Sequence, residues 1–339
     1  MVTADDAAYV RELLGGFWKT EVVSAAASLG LADVMGGEPW TAAPLAEKVG
    51  AHPGSLYRLL RAMAALGLAT HHPDESFTLT GAGLALTSGA EGSLRGMALH
   101  VGTLLAPAFC KLGDSVRSGT PPPFVKHGPD GFAELNDDPK AAHIFNQAMV
   151  DGSRRIAAMA AKAHDFGRYA TVMDVGGGYG AVLATLLRHV PALTGSVLDL
   201  EHAQAGAAAL FAEDGVAERA RFIAASFFDP IPAEADCYLL KYIIHDWADD
   251  YAERILARVA EAAKASNAPV LLIERVLPDR IEANPAHAGA IQGDLTMMLW
   301  GGKERTAAEY RALFAKAGLE LTDITPIGEG FDLIQAQAI

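Results

Sequence analysis

From residue 170 onward, short apolar runs alternate with helical stretches. "ATVMDVGGG" leads into "VLATLLRHV", and "TGSVLDL" into "AQAGAAALFAEDG". "ARFIAASFF" and "ADCYLLKYIIH" are further strand candidates. The helical "DDYAERILARVAEAAK" and the strand-like "APVLLIERVL" follow them. Runs apolar throughout belong to strands buried on both faces, so this alternation predicts a parallel sheet with helices on either side. Such sheets take ligands beyond the carboxyl ends of their strands, so the functional residues are expected where the apolar runs stop.

The first run ends in "DVGGGYG". Gly176, Gly178 and Gly180 allow a sharp turn and a close backbone approach, and the next helix presents its N-terminal amides. A tight turn alone would also use these glycines. The second run ends at Asp199, a carboxylate able to hold both hydroxyls of a ribose or, more plainly, to cap the next helix. Together the two features predict an adenosine-containing cofactor. The loop reads G-x-G-x-G and not G-x-G-x-x-G, and Asp174 directly before it would repel a pyrophosphate but attract an ammonium. Both points favour S-adenosylmethionine over NAD. The third run ends at Ser226, followed by Phe227 and Phe228, whose rings suit an adenine face or core packing equally. The fourth run is taken to end at His245, with Asp246 as helix cap and Asp249 in the first helical turn.

Residues before 100 follow a different pattern. Val22, Ala26 and Leu29 precede a stop at Gly30, and a helix is expected from Thr41 as N-cap to Gly50 as C-cap. Leu56, Leu59, Leu60, Met63 and Leu66 form one apolar stripe. Two β-capable stretches, 69–70 and 77–79, then flank turn residues. Three helices and a hairpin describe a winged helix. Arg58 and Arg61 are the only basic residues on its would-be recognition helix, and the net charge of the chain is −14. That balance repels phosphate backbones, so nucleic acid is not the expected partner. The apolar surplus of these helices predicts a homodimer. Between the halves, the Pro- and Gly-rich "SGTPPPFVKHGPDGF" is expected as a surface loop, and residues 138–166 as one long helix or a broken pair.

No apolar run approaches the roughly 18 residues of a membrane span. The acidic start "MVTADDAAYV" lacks the pattern of a secretion signal. The two cysteines, Cys110 and Cys237, are too few and too distant for a disulfide framework or a zinc site. A cytoplasmic location is expected.

The ordered motifs "DVGGGYG", "LDL", "HDWADD", "IERVLPD" and "GGKERTAAEYRALFAKAGL" resemble the small-molecule O-methyltransferases typified by plant caffeate and flavonoid enzymes, whose bacterial relatives act on antibiotic and pigment precursors. The likeness runs along nearly the whole chain. It implies a Rossmann-like class I methyltransferase sheet with an N-terminal all-α, winged-helix dimerisation domain over 1–100. A helical linker over 101–165 would contribute to the substrate pocket, and the catalytic domain would span 166–339. It implies His245 as general base, flanked by Glu274 and Glu304, and no metal. The implied S-adenosylmethionine site comprises Asp174, Gly176, Gly178, Asp199, Leu200 and Lys241, the lysine four residues before the histidine. At the adenine position the family shows an aspartate followed by a bulky apolar residue; here Phe227 keeps the second and Ser226 departs from the first.

Methyl transfer from a sulfonium needs alignment and a hydroxyl that loses its proton. An imidazole titrating near 6.5 suits that task at neutral pH. The rival reading, His245 with Asp249 as metal ligands, lacks a third ligand at matched spacing. For the acceptor, Phe145, Met149, Asp294, Met297, Met298 and Trp300 suit a flat apolar ring, and a phenol is expected. Two alternatives stand beside this: a relative diverted to hydroxylation or decarboxylation, and a non-enzymatic ligand sensor built on the winged helix.

Overall fold

The computed structural model describes residues 2–90, 92–126 and 139–339. The second half of the expected surface loop, from residue 127, lies outside them. The chain forms two compact units: residues 1–107 with 143–151, and residues 108–142 with 152–339.

In the first unit, helix Phe17–Ser28 is followed by Gly30 in the left-handed region, φ 64°. Helix Ala42–Val49 runs from Thr41 to a left-handed Gly50. Helix Pro53–Ala65 buries Leu56, Leu60 and Met63, the i, i+4, i+7 positions of the stripe, while Leu59 and Leu66 stay less covered. Each fully buried side chain of this kind contributes roughly 1.5–3 kcal/mol. Strands β1 (Ala69–His71) and β2 (Phe77–Leu79) pair antiparallel as the wing. The core closes around Leu31, Leu45, Leu60 and Phe77. Ahead of it, helix Ala4–Leu14 is held by a Thr3–Asp6 capping box yet buries no residue. Tyr9, Leu13, Leu14 and Phe17 are 61–73% exposed.

The second unit carries the sheet: β3 (Thr171–Val175), β4 (Thr194–Asp199), β5 (Ala220–Ala224), β6 (Cys237–Lys241), β7 (Pro269–Glu274), β10 (Leu319–Gly328) and β11 (Phe331–Ala338), with a separate short ladder of β8 (Val276–Leu277) and β9 (Arg305–Thr306). The order is β10-β11-β7-β6-β3-β4-β5. The expected parallel pairing holds from β7 to β5. It fails beyond β7, where β11 runs antiparallel and forms a hairpin with β10, so the sheet is mixed. Glu329 and Gly330, both at positive φ, make that hairpin turn, which lacks the usual Asn-Gly signature. Val270, Leu271, Leu272 and Ile273 of β7 are fully buried. Helices Ala181–His189, Gln204–Glu213, Asp249–Ser266 and Ala307–Lys316 flank the sheet. Residues 139–163 are one continuous helix, not a broken pair.

Candidate active site

Strand β3 delivers Asp174 and the glycine loop. Gly176, Gly178 and Gly180 all take positive φ, at 75°, 57° and 78°, a conformation that side chains resist. The neighbours add a second reason for glycine: a Cβ on Gly176 would stand 2.5 Å from Ile243 Cδ1, and one on Gly177 2.5 Å from Asp174 Oδ2. The amide of Gly178 donates to Asp199 Oδ2 at 2.6 Å, and that of Leu200 donates to Oδ1 at 2.6 Å. Asp199 thus ties the end of β4 to the loop after β3; it does not cap a helix. Asp174 is 1% exposed, and neither carboxylate oxygen has a hydrogen-bond partner among the described residues. Burial pushes its pKa up to about 7; Lys241 opposes the rise and Asp199 adds to it. Burial in turn pulls Lys241 down to about 8, opposed by Asp174, Glu274 and Asp246. Lys241 Nζ donates to Ser153 Oγ at 2.9 Å.

After β6 the chain does not run on to His245 as a strand. Tyr242 takes φ 56°, and His245 sits in a single 3₁₀ turn, Ile244–Asp246. Glu274, at the end of β7 and fully buried, fixes this turn: its Oε1 accepts from the amides of Ile243 and Ile244, at 3.1 and 2.9 Å. Glu304 holds the ring. Its Oε1 lies 2.9 Å from His245 Nδ1, while Glu274 Oε2 stands at 3.7 Å. A carboxylate oxygen accepts, so Nδ1 carries the hydrogen. Arg305, fully buried, donates to the carbonyls of Ile244 and Trp247, both at 2.9 Å, and to Asp249. Gly302 leaves no room for a side chain, since a Cβ there would meet the His245 carbonyl at 2.1 Å.

Two expectations are corrected here. The helix after this turn begins at Asp249 with Ala248 as N-cap, so Asp246 is not its cap. Asp246 instead places Oδ1 3.4 Å from His245 Nε2. Nor does the imidazole titrate near 6.5. Burial would drive it down, but Glu274, Asp246 and Glu304 outweigh burial and raise it to about 9. Asp246 is itself raised to about 6 and Glu274 to about 7, by burial in each case.

The other candidates fall as follows. Ser226 accepts the Phe228 amide at 3.2 Å, an internal turn contact. Phe227 packs edge-on against Trp247, ring centres 5.7 Å apart, and close to Gly176. Asp294, on helix Pro285–Trp300, accepts the Glu304 amide at 3.0 Å, and burial raises its pKa. Met297, Met298 and Trp300 follow on the same helix, each half-buried. Phe145 and Met149 belong to the first unit, where the Phe145 ring stands edge-on to His100. Asp249 is engaged by Arg305. His245, Glu274 and Glu304 do bring three ligand-type atoms within 4.8 Å of one another. Sequence reasoning missed Tyr242, Arg275 and Arg305 altogether. Their signal is spatial: Tyr242 stacks on His245, centres 4.4 Å apart, and Arg275 Nε donates to its hydroxyl at 3.1 Å.

The chain is similar to known proteins along its length. A family model described as the O-methyltransferase domain matches residues 109–320, and one described as the O-methyltransferase dimerisation domain matches residues 11–89. The phenazine O-methyltransferase PhzM of Lysobacter antibioticus is 32% identical over 97% of this chain and 95% of its own. The O-demethylpuromycin-O-methyltransferase of Streptomyces alboniger is 35% identical, over 96% and 88%. Among solved structures, the O-methyltransferase NcsB1 from neocarzinostatin biosynthesis, in complex with S-adenosylmethionine and 2-hydroxy-5-methyl naphthoic acid, superposes with a TM-score of 0.78 at 34% identity, covering 94% of this chain and 96% of that one. The fold is therefore that of a class I methyltransferase with an N-terminal dimerisation domain. The chain belongs to the O-methyltransferase family and is an S-adenosylmethionine-dependent enzyme.

Proposed function

We propose that this enzyme methylates a phenolic hydroxyl on an aromatic small molecule, with His245 as the general base and without a metal. The observation that carries the reading is the 2.9 Å contact from His245 Nδ1 to Glu304, which leaves Nε2, 3.4 Å from Asp246 Oδ1, as the proton acceptor. The aromatic acceptors named for NcsB1 and PhzM support the substrate class.

The residues fit the cofactor. Asp174 is a buried carboxylate without a partner among the described residues, the complement of an ammonium group. Asp199, fixed by two amides, keeps lone pairs for ribose hydroxyls, with Leu200 and Phe227 as apolar flanks and Lys241 beside Asp174. The Ser226 hydroxyl is taken up by the backbone, which leaves the adenine to the Phe227 face. The cofactor supplies an electrophilic methyl group.

The chain supplies the base. His245 Nε2 takes the proton of the acceptor hydroxyl, and the three surrounding carboxylates stabilise the imidazolium that results. A pKa raised to about 9 is close to that of a phenol, near 10, so proton transfer is nearly balanced. The same shift means that most free enzyme at pH 7 holds the imidazole protonated. Asp294 and Met298 are assigned to the acceptor side. A homodimer through residues 1–100 is part of this proposal, motivated by the uncovered apolar helix Ala4–Leu14.

Incubating the protein with labelled S-adenosylmethionine and a panel of phenols, with transfer read by mass spectrometry, tests the function. Transfer to no phenol, or transfer abolished by chelators and restored by a divalent ion, would sink it. Sedimentation at micromolar concentration should give twice the chain mass.

A further inference from the structure

Tyr242 is unusual on four counts. Its backbone lies at φ 56°, where a bulky residue is rare and strained. Its ring lies parallel to the His245 imidazole, centres 4.4 Å apart with 12° between planes. Its hydroxyl accepts from Arg275 Nε at 3.1 Å, and Arg275 is itself anchored on the Glu329 carbonyl and over the Phe331 ring. Lys241 Nζ lies 4.7 Å from the centre of the same ring. Strain at a functional site persists only where the surroundings over-determine it, and here a stack, a hydrogen bond and a cation all do.

We propose that Tyr242 is a positioning residue for the general base, a platform that holds the imidazole flat and steadies it when it carries the proton. The inference rests on His245 being that base. The aromatic face is electron-rich and favours a cation above it. Glu304 fixes the edge of the ring at Nδ1; Tyr242 fixes its plane. Together they hold Nε2 on the Asp246 side, 3.4 Å from Oδ1.

Other groups also act on His245. Glu274 faces it from β7, Glu304 from the segment before β9, and Asp246 from its own turn. Arg305 grips the carbonyls on either side, and Asp294 reaches it only through the Glu304 amide. These carboxylates survive replacement of Tyr242, so the platform's share can be isolated.

The test compares Tyr242→Phe with Tyr242→Leu in the full chain, measuring turnover from pH 6 to 10, cofactor-product affinity and thermal stability. Tyr242→Leu should move the acidic limb of kcat/KM down by roughly half to one pH unit, the scale of one cation–π contact. It should lower kcat about tenfold and leave S-adenosylhomocysteine affinity unchanged. Tyr242→Phe keeps the stack, so its limb should stay at the wild-type pH. In a His245→Ala background, Tyr242→Leu should cost nothing further. If the leucine protein does not fold, Tyr242→Gly removes the ring and accepts the positive φ without strain. An unmoved limb, or equal loss with and without His245, would overturn the platform. Wild-type turnover in His245→Ala alone would instead overturn the general base beneath it.

Discussion

The ends of β3 and β6 lie side by side in one sheet, yet they are built by opposite means. Beyond β3 the site is backbone: three positive-φ glycines, with the amide of Gly178 tied to Asp199. Beyond β6 it is side chain: a short turn pinned by Glu274, Glu304 and Arg305, which enter from distant parts of the chain. The two meet where Ile243 fills the space that a side chain on Gly176 would need. A backbone cradle suits a ligand held in one pose through a whole cycle. A side-chain cluster suits a group whose protonation must change within that cycle.

If the division is real, variants on the two sides should fail differently. His245→Ala should cut turnover by about 10²–10⁴ at pH 7 while S-adenosylhomocysteine binds as before, and the deficit should shrink at high pH as a phenol ionises unaided. Unchanged turnover would erase the distinction. On the other side, Asp199→Ala should weaken cofactor binding by about 1.5–3 kcal/mol, the scale of hydrogen bonds to a charged group, with turnover at saturation little altered. Calorimetry with S-adenosylhomocysteine reads it directly. Glu304→Gln should cost less, about five- to tenfold in turnover, because an amide oxygen still accepts from Nδ1 but cannot stabilise the imidazolium.

The smallest effect concerns stability and pH. His245 titrates higher folded than unfolded, so its contribution is full below about 6.5 and is lost as pH rises toward 9. Glu274 is also raised, to about 7, so the folded protein holds its proton between about 4.5 and 7, and stability again falls as pH rises. Glu274→Gln should therefore flatten the decline in melting temperature between pH 5 and 8, while its amide oxygen keeps the Ile243 and Ile244 contacts. An unchanged slope would mean that Glu274 only braces the backbone.

This contrast also explains what was legible in the sequence. The glycine turn and the wing strands could be read because their residues act through local geometry, whereas the tie from Asp199 to the Gly178 amide could not. The parallel strands could be read because burial on both faces leaves unbroken apolar runs. The β10–β11 hairpin could not: its burial is uneven and its turn is Glu329-Gly330. Glu274 and Glu304 could be placed beside His245 from the resemblance, but the rise in its pKa could not be read, since that depends on how closely they and Asp246 surround the buried ring. Tyr242 and Arg305 looked like an ordinary apolar residue and an ordinary surface cation. Only their neighbours give them work.

The reversed strand β11 also orders events during synthesis. Of the residues assigned to the cofactor, Asp174 to Leu200 lie within β3 to β5 and the turns between them, Ser226 and Phe227 follow directly, and Lys241 ends β6. The histidine side must wait for Glu274, then for Gly302, Glu304 and Arg305, and then for β11 to pair with β7 over residues 332–337. Pairings that distant in sequence close slowly. A growing chain therefore holds every residue proposed for the methyl donor before it holds the glutamates that surround His245.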